Sequence, residues 1–174
     1  MHATVSDVEL DAVAARVTDR QVDPHTAAAQ VLARVYPEGA LDHIGIAVDD
    51  LEAATACYRD ALGLDVSEPH EVPSEQVRAR FVPVGQTSLE LLEATAASSA
   101  IARFVDKRGP GLHHVTLLVD DIAGALARLK SRGVRLVDEV PRPGAHGSAV
   151  AFIHPSAAQG VLIELKQAAP GGSR

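Results

Sequence analysis

The chain of 174 residues has no tryptophan, two tyrosines and three phenylalanines. A core must therefore be built from Val, Leu, Ile and Ala, within a hydrophobic content of 47% that is ordinary for a globular protein. The single cysteine, Cys57, excludes an internal disulfide framework and suits a reducing cytosol; on its helix it is read as a packing residue. No apolar run approaches about 18 residues, so no membrane span is expected. The opening residues, MHATVSDVELDAVAARV, lack the basic-then-apolar order of a secretory signal. Positive charge is short as well: 16 Lys and Arg stand against 23 Asp and Glu, a net charge of −7 at pH 7. That balance argues against a nucleic-acid partner, because phosphate contacts need clustered cations. A cytoplasmic protein with a small-molecule partner is the expectation that remains.

What the chain does have is a statement made twice. Residues 41–51 read LDHIGIAVDDL and residues 112–122 read LHHVTLLVDDI. His43 and His114 hold the same place in the two copies, 71 residues apart. Each copy also closes on an apolar strand with a carboxylate inside it, SLELLE around Glu90 and VLIELK around Glu164, 74 residues apart. At 174 residues the chain is one domain, or two small pseudo-repeated modules sharing a core.

Residues 1–40 read as a helical extension of two Ala-rich stretches, about 5–18 and 24–35, split at Asp23-Pro24. The core divides into module one (41–97), a linker helix (98–110) and module two (111–167), and 168–174 is a flexible tail. Alternation predicts a strand over 41–48 with His43, Gly45 and Ala47 on one face. Asp49-Asp50 caps an amphipathic helix over 51–62 that Gly63 ends. Strands are expected at 65–71, 76–84 and 87–93. Module two repeats the order: a strand at 112–119, an Asp120-Asp121 cap, a helix ended by Gly133, then strands at about 134–140, 148–153 and 160–167. The predicted fold class is α+β, with paired βαβββ modules forming a curled mixed sheet around a shared concave face.

If His43 faces inward, so does His114, and the same holds for the two glutamates. A carboxylate inside an apolar strand is costly to bury unless something pairs with it. Two converging carboxylates would repel, and a divalent cation removes that repulsion. Imidazole nitrogen with carboxylate oxygen suits Co²⁺, Mn²⁺, Zn²⁺, Ni²⁺ or Fe²⁺ without choosing among them. One divalent ion per chain, held by His43, Glu90, His114 and Glu164, is the expectation. Taken singly, each His could be a hydrogen-bonded structural residue, and Glu90 could point outward from an edge strand. Strict alternation sends His113 to the face opposite His114, so the repeat selects His114.

The segments DHIGIAVDDLEAA, YRDALGL, VPVGQTSLELLE, IARFVDKRGPGLHHV, VDDIAGALARLKSRGVRLVDEVPRPG and AFIHPSAAQGVLIEL resemble, in order and spacing, the vicinal-oxygen-chelate superfamily and within it the methylmalonyl-CoA epimerase family. The resemblance spans about residues 41–167. It implies that His43, Glu90, His114 and Glu164 bind the metal and that the partner is a small acyl thioester, a CoA ester first. It implies proton removal beside a thioester carbonyl through a metal-stabilised enolate, with Glu164 one acid/base group and Glu90 a candidate for the other. It also implies a homodimer. A glyoxalase-like lyase, a specialised isomerase and a small-molecule-binding module are the alternatives.

Three positions depart from the family pattern. Ala79 stands where well-known bacterial members carry a glutamate base. His146, Ser148 and Ala149 stand where glycines and basic residues are common, and His146 is a second candidate acid/base. Ser156 replaces a common Lys. Arg78, Arg80, Lys107, Arg108 and Arg142 remain as phosphate partners for a CoA ester.

Overall fold

The computed structural model describes residues 40–169. The expected helices at 5–18 and 24–35 and the end of the tail lie outside the described residues. Strand β1 spans Ala40–Val48, and its alternate residues His43, Gly45 and Ala47 are buried. Asp50 ends the strand and caps the next helix, its carboxylate accepting from the N–H groups of Glu52 and Ala53 at 2.9 Å each. Helix α1, Leu51–Ala56, widens into a π-helical turn over Cys57–Ala61 where a regular α-helix to residue 62 was expected. Gly63 ends it with a left-handed φ of 69°. Cys57 is exposed on that turn, so it does not pack as expected.

Four further strands frame the first module and open the second: β2 (His70–Val72), β3 (Val77–Val84), β4 (Thr87–Ala94) and, after helix α2 (Ala100–Arg108), β5 (Gly111–Leu118). Ser99 caps α2, accepting from the N–H of Ile101. Helix α3 (Ile122–Ser131), capped by Asp121, leads to β6 (Arg142–Pro143), β7 (Ala149–Ile153) and β8 (Leu162–Gln167).

Two expected strands are shorter than the alternation suggested, for the same reason in each module. Over 65–71 only His70–Val72 is strand. Ser67 donates its N–H to the Phe81 carbonyl at 2.8 Å, but the Phe81 N–H goes to the Ser67 hydroxyl, and Pro69 has no N–H to offer. Over 134–140 a single bridge forms, Leu136 with Ile153. There the Phe152 N–H goes to the Asp138 carboxylate at 2.9 Å. A side-chain oxygen replaces the ladder carbonyl at Ser67 and again at Asp138, the same place in the repeat.

The sheet order is β2-β3-β4-β1-β5-β8-β7-β6, which reads the same from either end once the modules are exchanged. β1 pairs with β4 in parallel, β5 pairs with β8 in parallel, and β1 and β5 meet antiparallel at the centre. The curled mixed sheet of paired βαβββ units is the architecture expected. Outside it, Leu51 of α1 packs on Leu91 and Val82, and Ile122, Ala125 and Leu126 of α3 pack on Ala151 and Leu165. Inside it, Ile101 and Phe104 of α2 lie on Ala47, Ala79 and Leu92, covering part of the concave face. The rest of that face holds the polar residues.

Candidate metal centre

The central register decides the site. His43 lies across from Thr116, and Gly45 across from His114. The His114 ring lies over Gly45 so closely that a Cβ built there would fall among the imidazole atoms. Glycine is needed here for the close approach of a ring, since Gly45 does not need it for φ. Gly45→Ala is expected to displace His114 and lower metal occupancy at least about 10-fold, comparable to losing a supporting partner of a metal ligand. Metal analysis after dialysis checks it, with circular dichroism showing the fold retained; full occupancy would remove Gly45 from the site.

Glu90 and Glu164 arrive from β4 and β8, the parallel neighbours of the two central strands. β4 is interior to the sheet, so Glu90 does not sit on an edge. The four side chains converge. His43 Nε2 lies 3.3 Å from His114 Nε2, 3.2 Å from Glu90 Oε2 and 3.8 Å from Glu164 Oε2. His114 Nε2 lies 3.8 Å from Glu90 Oε2 and 3.5 Å from Glu164 Oε2. Donors bound at about 2.1 Å to one ion stand about 3.0 Å apart at the edge of an octahedron and about 3.4 Å apart in a tetrahedron. The observed separations have the size of such edges. Ligand atoms of His43, Glu90 and His114 all fall within 4.8 Å of one another, and none of the three is exposed. Two imidazoles and two carboxylates of this size and burial fit a divalent ion of the nitrogen- and oxygen-loving kind.

A second layer orients them. The His43 Nδ1–H donates to Asp42 at 2.7 Å, and Lys166 donates to the same carboxylate oxygen at 2.7 Å. This leaves Nε2 of His43 facing the cluster. His113 does the corresponding work for His114, with the two Nδ1 atoms 2.9 Å apart. The expectation that His113 points to the opposite face is wrong. The register steps from Gly45 with His114 to Ile46 with Leu112, so His113 sits in a β-bulge and turns toward its neighbour. Thr116 links the halves: its hydroxyl donates to Glu164 Oε2 at 2.7 Å, and its oxygen lies 2.9 Å from His43 Nε2. Phe81 packs edge-on against His43 and Phe152 against His114, with centroids 6.0 and 6.2 Å apart. Those phenylalanines are 71 residues apart, like the histidines, and that spacing was the available signal for them.

Electrostatics separates the two glutamates. Burial pushes the Glu164 carboxyl above its usual range, with the Thr116 hydrogen bond opposing. Burial pushes Glu90 the same way, but the hydrogen bond and charge of His43 outweigh it and hold the carboxyl low. Burial drives His114 down to about 3. Burial also opposes charge on His43, yet its bonds to Asp42 and Glu90 raise it to about 9. Asp42 is held at about 2, chiefly by His43 and then Lys166. Two like groups in environments that split their proton affinities are suited to different roles.

The other candidates fare differently. Arg80 is buried and tied to Glu52, and Arg78 is tied to Glu93, so neither is placed to receive phosphate. Arg142 is paired with Glu75 and Asp138. His146 lies on the 3₁₀ turn Ala145–Gly147. Ala79 is fully buried in the core under α2. Its cross-strand neighbour is His70, stacked on Phe81 with ring centroids 5.2 Å apart, a titratable residue that the sequence pattern did not single out.

Residues 42–152 match the glyoxalase/bleomycin resistance protein/dioxygenase superfamily. The fold and the four-donor centre are those of this vicinal-oxygen-chelate class. The mitochondrial methylmalonyl-CoA epimerase of Bos taurus is 44% identical over 135 residues, 77% of this chain and 77% of the relative. The ethylmalonyl-CoA/methylmalonyl-CoA epimerase of Cereibacter sphaeroides is 43% identical over 131 residues, 74% of this chain and 98% of the relative. A solved structure of a Streptomyces coelicolor methylmalonyl-CoA epimerase variant, in complex with 2-nitronate-propionyl-CoA, superposes with a TM-score of 0.71 at 34% identity, covering 79% of this chain and 99% of that one. The chain belongs to the methylmalonyl-CoA epimerase family, whose members are isomerases.

Proposed function

We propose that the chain interconverts the two C2 epimers of methylmalonyl-CoA, or of a closely related 2-substituted malonyl thioester, with His43, Glu90, His114 and Glu164 as ligands of one divalent metal. The convergence of two imidazoles and two carboxylates at ligand-edge spacing carries this reading, and the substrates named for the epimerase relatives support it. Bound there, the metal supplies Lewis-acid stabilisation of the negative charge that develops on the thioester oxygen when the C2 proton leaves.

The residues do the rest. Epimerisation removes a proton on one face of C2 and returns one on the other, so it needs two acid/base groups. Glu164 is the first: burial raises its proton affinity, and the Thr116 hydroxyl fixes its free rotation. Glu90 takes the second role in place of the glutamate that Ala79 lacks, and His70 is the neighbouring titratable group against which that role is tested. Phe81 and Phe152 shield the two histidines and hold the substrate carbon in a dry setting. A homodimer in the cytoplasm belongs to the same reading; among the described residues no helix is long and apolar enough to cross a membrane.

The test is exchange at C2. Metal-loaded protein in heavy water should replace the C2 hydrogen of methylmalonyl-CoA with deuterium, followed by proton NMR. Absence of exchange above background at high protein concentration would overturn the epimerase reading and leave the fold and the metal centre standing.

A further inference from the structure

A cavity of about 330 Å³ opens from the metal centre toward the end of α2. His114 forms its inner wall, Phe104, Leu112 and Val161 its sides, and Lys107 and Arg108 its rim. This volume lies within the usual range of small-molecule clefts, about 300–1,000 Å³.

The two parts of the core that are not repeated build this cavity. One is α2, which joins the modules. The other is the loop Pro155–Val161 ahead of β8. The histidines and the phenylalanines are 71 residues apart in the two copies, but the glutamates are 74 apart, so three added residues fall in that loop. Module one has the tight turn at Gly85-Gln86 instead. The metal centre follows the symmetry of the repeat, and the cavity breaks it. A symmetric site has no preferred side from which a long substrate should enter, and this cavity provides one.

Its chemistry changes along its length. Leu112 is 71% exposed and Val161 45% exposed, so two large apolar side chains stand in water at its sides. Beyond them, Lys107 and Arg108 meet no carboxylate among the described residues, in a chain of net charge −7. The other cations considered for phosphate are all consumed: Arg78 by Glu93, Arg80 by Glu52, Arg142 by Glu75. The Arg108 guanidinium lies 5.8 Å over the Phe104 ring, which places its charge at the rim.

We infer that this cavity is the seat of the carrier arm of an acyl-CoA, with the pantetheine chain between Leu112 and Val161 and the phosphates against Lys107 and Arg108. The inference rests on the acyl-thioester reading above. It locates the end of the substrate remote from the chemistry, and it explains how the rim supplies cations that the Ser156 and His146 positions lack.

Binding of free CoA separates it from the reaction itself. Isothermal titration with CoA should show affinity that falls at least about 10-fold in Lys107→Glu/Arg108→Glu, both side chains being exposed. Leu112→Glu should weaken it similarly, and thermal melts should show both variants folded. The same charge reversal should reduce kcat/KM for methylmalonyl-CoA relative to methylmalonyl-pantetheine, which lacks the adenosine and its phosphates, by about the same factor and through KM. Unchanged CoA affinity, or an unchanged ratio of the two substrates, overturns the inference while the epimerase reading stands. Wild-type CoA binding that depends on Lys107 and Arg108, in a protein without C2 exchange, supports the cavity and overturns the reaction.

Discussion

Glu164→Gln is expected to slow C2 deuterium exchange by about 10²–10⁴-fold, the usual contribution of a positioned general base. Gln keeps the size of the side chain, accepts the hydrogen bond from Thr116 and can still offer its amide oxygen to a metal. What it loses is the ability to take a proton. The loss should therefore fall on kcat, with the metal content and the melting temperature close to those of the parent protein. The comparison with Glu90→Gln is informative, because Glu90 is held low by His43 and Glu164 is pushed up by burial. Exchange traced separately from each epimer should show which carboxylate serves which face. A nearly parental rate in Glu164→Gln would remove Glu164 from the mechanism. A normal rate in Glu90→Gln with a slow His70→Asn would move the second role to His70.

His114→Ala is expected to abolish stoichiometric metal binding. The parent should hold about one divalent ion per chain after dialysis; the variant should hold a small fraction of that. Loss of an outer partner of a ligand already costs about 10–100-fold in affinity, and loss of the ligand should exceed it. The imidazole contributes a nitrogen 3.3 to 3.8 Å from each of the other three donors, so its removal opens one whole side of the site. Two carboxylates would then share a buried space with one imidazole. Because bound metal stabilises the folded state in proportion to the logarithm of its free concentration over Kd, the metal-dependent rise in melting temperature should vanish with it. Elemental analysis and melts with and without chelator check both points. Full stoichiometry in the variant would exclude His114 as a ligand.

Alternation in LDHIGIAV and LHHVTLLV was enough to place both central strands, and the Asp-Asp caps and glycine stops were enough to place the helices, because these depend on neighbours close in the chain. The recurrence of His early and Glu late in each copy singled out the four residues that converge. Other features were hidden. Ser67 and Asp138 take N–H groups that an ordinary strand would give to a carbonyl, and nothing in the period-two pattern reports a bond made 14 residues away. Cys57 looked like packing until the helix widened into a π turn and left it in solvent. Arg80 looked free for phosphate until Glu52 was seen to claim it.

The chain by itself determined the two-module plan, the inward face of each central strand and the identity of the donors, since duplication writes the same local pattern twice. Only the tertiary structure decided how the donors meet. The antiparallel register between β1 and β5 sets Gly45 under the His114 ring and Thr116 beside His43, and a one-residue bulge turns His113 toward the site. It also decided that the unrepeated helix and loop form a cavity on one side. Register, bulges and cavities arise from pairings between distant segments, whose energies are summed over the whole sheet, and no local pattern carries them.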